Sequence, residues 1–124
     1  MTTPNHSRFP FWSYQAEQSY ATAVVDGSAV GATASTDGLD ARGASFCQIS
    51  KSGNTYTLTY NETLVAVPIV HITSLTDNGA FNITSRTAEE LVWDSVERDD
   101  NTAALNDADF MITFILDRSD KAYT

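Results

Sequence analysis

Residues 44–60 read Ala-Ser-Phe-Cys-Gln-Ile-Ser-Lys-Ser-Gly-Asn-Thr-Tyr-Thr-Leu-Thr-Tyr. In the last six, Tyr56, Leu58 and Tyr60 alternate with Thr55, Thr57 and Thr59. That is the period of two expected for a strand with one buried face, and it does not suit a helix. Lys51-Ser52-Gly53-Asn54 has turn composition. Ala44 to Ser50 supplies the other arm of a hairpin, with Phe46 and Gln48 on one face and Cys47 and Ile49 on the other.

Working outward, the same signals recur about every ten residues. Tyr20 to Val25 reads as a strand ended by Asp26-Gly27, and Ala29 to Ala34 as a second. Asp37-Gly38-Leu39-Asp40 and Arg42-Gly43 form a loop of small residues. Val65 to Thr73 is a strand with Val67, Ile69 and His71 opposed to Val70 and Ile72; Pro68 places its start at an edge or bulge. Asp77-Asn78-Gly79 turns the chain into Phe81 to Thr84. Thr87-Ala88-Glu89-Glu90 has the spacing of a capping box, a sign of a helical turn. The alternation of Leu91 and Trp93 nevertheless favours a strand over Leu91 to Val96, with Trp93 in the core. Glu97 to Asp109 is an acidic loop, and Phe110 to Leu116, apolar on both faces apart from Thr113, suits a central strand. The expected fold is all-β: a single antiparallel β-sandwich, jelly-roll-like, over 20–124, with an extended N-terminal arm over 1–19.

Composition narrows the function. With 124 residues and 42% hydrophobic content, one domain can bury a core without a disulfide or a metal. The net charge of −9 and the seven scattered Lys and Arg argue against nucleic acid and anionic membranes. Pro68 interrupts the longest apolar run, Leu64 to Val70, so no membrane span is expected. Met1 to Pro10 lacks the apolar stretch of a secretory signal.

Little in the chain suggests chemistry. The histidines are His6 in the arm and His71 in mid-strand; Cys47 is an isolated strand residue, and no phosphate loop, dinucleotide fingerprint or nucleophile elbow occurs. Clustered zinc ligands are absent. Asp99, Asp100, Asn101, Asn106, Asp107 and Asp109 could supply oxygens to calcium, but without EF-hand spacing, so a solvated loop is expected. Glu89-Glu90 are neighbours that a strand would point to opposite faces. Asn5, Asn61 and Asn82 begin glycosylation-type triplets, read as chance in a Thr-rich chain without a signal. The expectation is no enzyme, no cofactor and no metal site.

The run Phe46-Cys47-Gln48-Ile49, then Gly53-Asn54-Thr55-Tyr56-Thr57-Leu58-Thr59-Tyr60-Asn61, resembles the hairpin of small β-sandwich domains in bacteriophage virion proteins. Strands like Val67 to Thr73 and Phe81 to Thr84 follow there, and the last is entered through acidic residues, as in Asp107-Ala108-Asp109-Phe110. The resemblance covers about seventy residues and implies a non-enzymatic structural role on the virion, often with trimerisation. It implies a capsid decoration (cement) protein that binds the major capsid protein and stabilises the assembled shell. The alternative is a fibre or spike tip that recognises a cell-surface glycan. Fibre proteins carry a long upstream shaft, and the 43 preceding residues offer none. The protein would be made in the host cytoplasm and reside on the capsid surface. Self-association is expected, as a trimer or alternatively a dimer, partly because 110–116 and 65–72 lack a polar counter-face.

The arm holds the candidate partner-binding residues. Phe9, Phe11, Trp12 and Tyr14 cluster after Pro4 and around Pro10. Aromatics bury a large area with few rotatable bonds, and the prolines lower the entropy lost on ordering. The competing expectation is that these side chains close the bottom of their own sandwich.

Overall fold

The computed structural model describes residues 18–117, and within them nearly every element is a strand. The hairpin read first is β2 (Cys47–Ser52) and β3 (Thr55–Tyr60), which pair from Cys47↔Tyr60 to Ser52↔Thr55 around Gly53, whose φ is 62°. Tyr56, Leu58 and Tyr60 are buried, and the threonines face outward. The remaining strands are β1 (Gln18–Asp26), β4 (Ile69–Ser74), β5 (Gly79–Arg86), β6 (Glu90–Glu97) and β7 (Asp109–Asp117).

They form two antiparallel sheets packed face to face. One has the order β1-β7-β4 and the other β2-β3-β6-β5. The all-β sandwich is therefore as the alternation demanded. Seven strands lie among the described residues, and β2–β3 and β5–β6 pair as hairpins inside one sheet. Phe110 to Leu116 is indeed the central strand of its sheet, flanked by β1 and β4.

The two inner faces interlock through aromatic rings. Trp93 stacks on Tyr56 with centroids 5.4 Å apart, and Phe110 stands edge-on to both, at 5.6 Å and 5.5 Å. Phe114 meets Phe46 and Tyr60 in the same manner at the other end. Such rings each bury a large area, and this accounts for a core without a disulfide. Trp93 is fully buried, as its inward register required.

Several local expectations give way to tertiary context. The stretch Ala29 to Ala34 is not a strand. A 3₁₀ turn occupies Gly27–Ala29, capped by the Asp26 carboxylate, which accepts from Ser28 N–H. Along this stretch Gly31 O accepts from Lys51 N–H, and Ser35 just beyond it forms an isolated bridge with Ile49. Small residues offer the sheet little to pack, and Val30 is the buried side chain here. The small-residue loop contains a one-turn helix, α1 (Ala41–Ala44), whose Asp40 cap accepts from Gly43 N–H at 3.0 Å. That turn delays β2 to Cys47 and swings Phe46 against Phe114, away from the face of Gln48.

β4 begins at Ile69 and not at Val65, because Pro68 cannot donate to the ladder. One half of the capping box forms: Thr87 Oγ1 accepts from the N–H groups of Glu89 and Glu90, at 3.1 and 3.0 Å, while Thr87 N–H donates to the Glu90 backbone O and not to its carboxylate. They close the β5–β6 connection and start no helix, as the preference for a strand over 91–96 anticipated. β1 starts two residues inside the expected arm, at Gln18.

Candidate functional site

The register of the three-stranded sheet places nine side chains on its outer face. Tyr20, Ile115 and Ile69 make one row across β1, β7 and β4. Thr22, Thr113 and His71 make the next, and Val24, Met111 and Thr73 the third. None of the nine is Asp, Glu, Lys or Arg, although charged residues make up 19% of the chain. Tyr20 is 67% exposed, Ile69 54% and Met111 45%. Val65 and Val67, in the loop before β4, add two more exposed apolar side chains.

The opposite outer face follows the ordinary rule for an antiparallel sheet with one side in water. It carries Gln48, Thr55, Thr57, Thr59, Asn82, Glu90 and Asp94, with the Thr55 hydroxyl donating to Asp94 Oδ1 at 2.7 Å. Scattered exposed apolar residues are normal on any protein, but contiguous rows of them mark a contact surface.

The β4 edge of the three-stranded sheet carries no charge of its own, although Arg86 of β5 donates to Pro68 O just before it, at 2.7 Å. From Val65 to Thr76 the chain has no charged residue, and β4 is an edge strand. Edge strands exposed to water usually carry charge or bulges that discourage pairing with other chains. β2, by contrast, is covered: Lys51 N–H donates to Gly31 O, and Ile49 pairs with Ser35. Near the root of β1 two shallow grooves flank Leu116. One of about 280 Å³ is lined by Ser19, Leu64 and Val65, and one of about 330 Å³ by Tyr20, Phe46 and Arg42.

A second feature is polar and internal. Lys51, expected only as a turn residue, sends Nζ to Gly27 O at 2.6 Å, Asn106 O at 3.1 Å and Asp107 Oδ1 at 2.7 Å. The Tyr56 hydroxyl donates to Asn106 O at 2.7 Å and accepts from Ala108 N–H at 3.2 Å. These bonds hold the end of the 97–109 loop against the core. No spacing rule would have paired Lys51 with residues fifty-five positions away.

The carboxylates of that loop are engaged separately. Asp100 accepts from the N–H and hydroxyl of Thr102, bonds that lower its pKa. Asp99 accepts from Asn78, Asp107 pairs with Lys51, and Asp109 accepts from Gly27 N–H. Among the described residues no three His, Cys, Asp or Glu side chains gather as a metal site. Cys47 and His71 are not brought together. Cys47 is buried, donates to Gly43 O at 3.2 Å, and burial pushes its thiol up to about 12. His71 lies exposed on the far side of the other sheet. A thiol so disfavoured as thiolate is a poor nucleophile.

Phe9, Phe11, Trp12 and Tyr14 lie outside the described residues, as do Asn5 and His6. Asn61 and Asn82 are exposed. Among the described residues no helix is long and apolar enough to cross a membrane. Comparison with protein-family models, curated proteins and solved structures gives no match. The class that fold and surface define is a small all-β sandwich with one polar outer face and one uncharged outer face that carries an apolar row, Tyr20–Ile115–Ile69.

Proposed function

We propose that the chain is a non-enzymatic structural protein of a virus, a capsid decoration protein that binds the assembled shell through its major capsid protein. The observation that carries this reading is the uncharged outer face of the β1-β7-β4 sheet in a chain of net charge −9. A surface of that composition suits permanent contact with other subunits better than life in water. The arm residues Phe9, Phe11, Trp12 and Tyr14 serve as anchors to a neighbouring subunit. The resemblance of 44–116 to virion β-sandwich domains supports the viral setting.

The test is to mix the purified protein with undecorated shells and count bound copies. Many copies spread over the shell, with a raised disassembly temperature, are the expected result. A few copies at a tail or vertex would mark a tip protein instead, and absence from purified particles would reject both. Deleting Met1 to Tyr14 tests the arm: binding should vanish while melting stays nearly unchanged. Unfolding or aggregation of the truncated chain would put the aromatics in the core.

A further inference from the structure

We infer that the aromatic segment Phe9–Tyr14 of one copy docks on the outer face of the β1-β7-β4 sheet of a second copy, so that copies associate head to tail. The inference shares with the proposed function the readings of the arm as an anchor and of this outer face as a contact surface. It needs no shell and no capsid protein.

Charge is the first argument. All sixteen Asp and Glu of the chain lie from Glu17 onward, whereas residues 1–16 hold Arg8 and no carboxylate. The arm is therefore weakly cationic and aromatic, and the body is strongly acidic. Two bodies repel, two arms gain nothing from charge, and arm on body is the complementary pairing. The acceptor face is itself free of charge, so apolar rings meet no carboxylate that must be desolvated.

The second argument is placement. The richest apolar row, Tyr20–Ile115–Ile69, lies two residues inside the end of the sheet where β1 begins. With strands about 4.8 Å apart the row is about 10 Å wide, room for two or three rings side by side. An uncovered row of this kind in a chain with a ring-rich, charge-poor segment has an evident complement.

The third argument is the reach of the segment. Residues 11–18 read Phe-Trp-Ser-Tyr-Gln-Ala-Glu-Gln, with Ser13 the one residue of turn type. Phe11 is seven residues from Gln18, and at no more than about 3.3 Å per residue its reach is at most about 23 Å. That reach is long enough to meet a neighbouring copy. Arm and face are different surfaces, so each copy gives one arm and receives one, and a closed ring leaves none unpaired. A trimer satisfies every arm and every face.

The test uses two full-length variants that each remove half of the contact. Phe11→Ala/Trp12→Ala lacks the donor, and Tyr20→Asp/Ile69→Asp lacks the acceptor at two exposed positions. The parent should scatter light as three chain masses at about 100 μM, and each variant as one. Circular dichroism must show both variants folded; should the acceptor pair fail, Ile69→Asp alone takes its place. Mixed in equal amounts, the two variants still possess one intact arm and one intact face between them. They should form a one-to-one heterodimer, with no trimer. A monomeric parent, a variant that remains trimeric, or a mixture of folded variants that stays monomeric would each overturn the inference. Failure of the trimeric parent to bind shells would count against the proposed function and leave this contact standing.

Discussion

The Tyr56 hydroxyl and the Ala108 amide, fifty-two residues apart, are joined by a 3.2 Å hydrogen bond in the interior. The same hydroxyl donates to Asn106 O, so one buried atom satisfies the chain on both sides of Asp107. It ties the hairpin that defines the fold to the loop that delivers β7. Replacing Tyr56 by Phe keeps the ring stacked on Trp93 and removes both bonds, leaving Ala108 N–H buried and unpaired. The expected loss is about 1–3 kcal/mol. Thermal melting should report it, and amide exchange should accelerate at Ala108 more than at the centre of β3.

Gly27 sits beneath that junction. A methyl group there would lie 2.6 Å from Ala108 N, and it would also strike Ala108 O and the Tyr56 hydroxyl. Backbone atoms of Ala108, just before β7, cannot swing aside as a flexible side chain would. Gly27→Ala should cost about 3 kcal/mol, the upper end for overpacking. Gly31→Ala, where nothing lies within 4 Å, should change the denaturant midpoint little.

Asp40 caps α1 and also accepts from Val24 N–H at 3.1 Å, joining the helix to the β1 edge. Burial alone would raise its pKa; the Gly43 and Val24 hydrogen bonds and Arg42 together lower it. A depressed carboxylate stabilises the fold above its unfolded pKa, near 3.8, and that contribution fades as pH falls through the lower folded value. Asp40→Ala should cost about 1–2 kcal/mol at pH 7. Asp40→Asn retains an accepting oxygen and should cost less, and either change should flatten the loss of stability below pH 4.

The alkaline limb has a different origin. Burial pushes the Cys47 thiol from 9.0 up to about 12, and it raises the Tyr56 and Tyr60 hydroxyls as well. An acid whose folded pKa is raised stabilises the fold fully below its unfolded pKa and loses that stability as pH climbs toward the folded value. Urea midpoints should therefore decline above about pH 9. Cys47→Ala should move the onset above pH 10, where the tyrosines take over. At pH 8 iodoacetamide should leave native Cys47 unmodified and alkylate it in urea.

What the residues themselves dictate is the alternation. Tyr56, Leu58 and Tyr60 against three threonines leave no other arrangement than a strand with one buried face, and Leu91 with Trp93 repeats the message. Phe110, Ile112 and Phe114 point inward by the same rule. The apolar opposite faces of 110–116 and 65–72 announced a surface in need of cover. Tertiary structure decided the rest, because it depends on which strands become neighbours. Tyr20 reads alone as one more strand aromatic. Only the β1–β7–β4 register aligns it with Ile115 and Ile69 and makes a row. Lys51 reads as a turn residue until the loop before β7 arrives at its ammonium group. Ala29 to Ala34 has enough small apolar residues for a strand, yet no sheet position remained for it once Gly31 and Ser35 had bonded to the edge of β2. Local periodicity is set by bond geometry within a few residues, whereas edges, rows and buried clamps arise from packing between segments far apart in the chain.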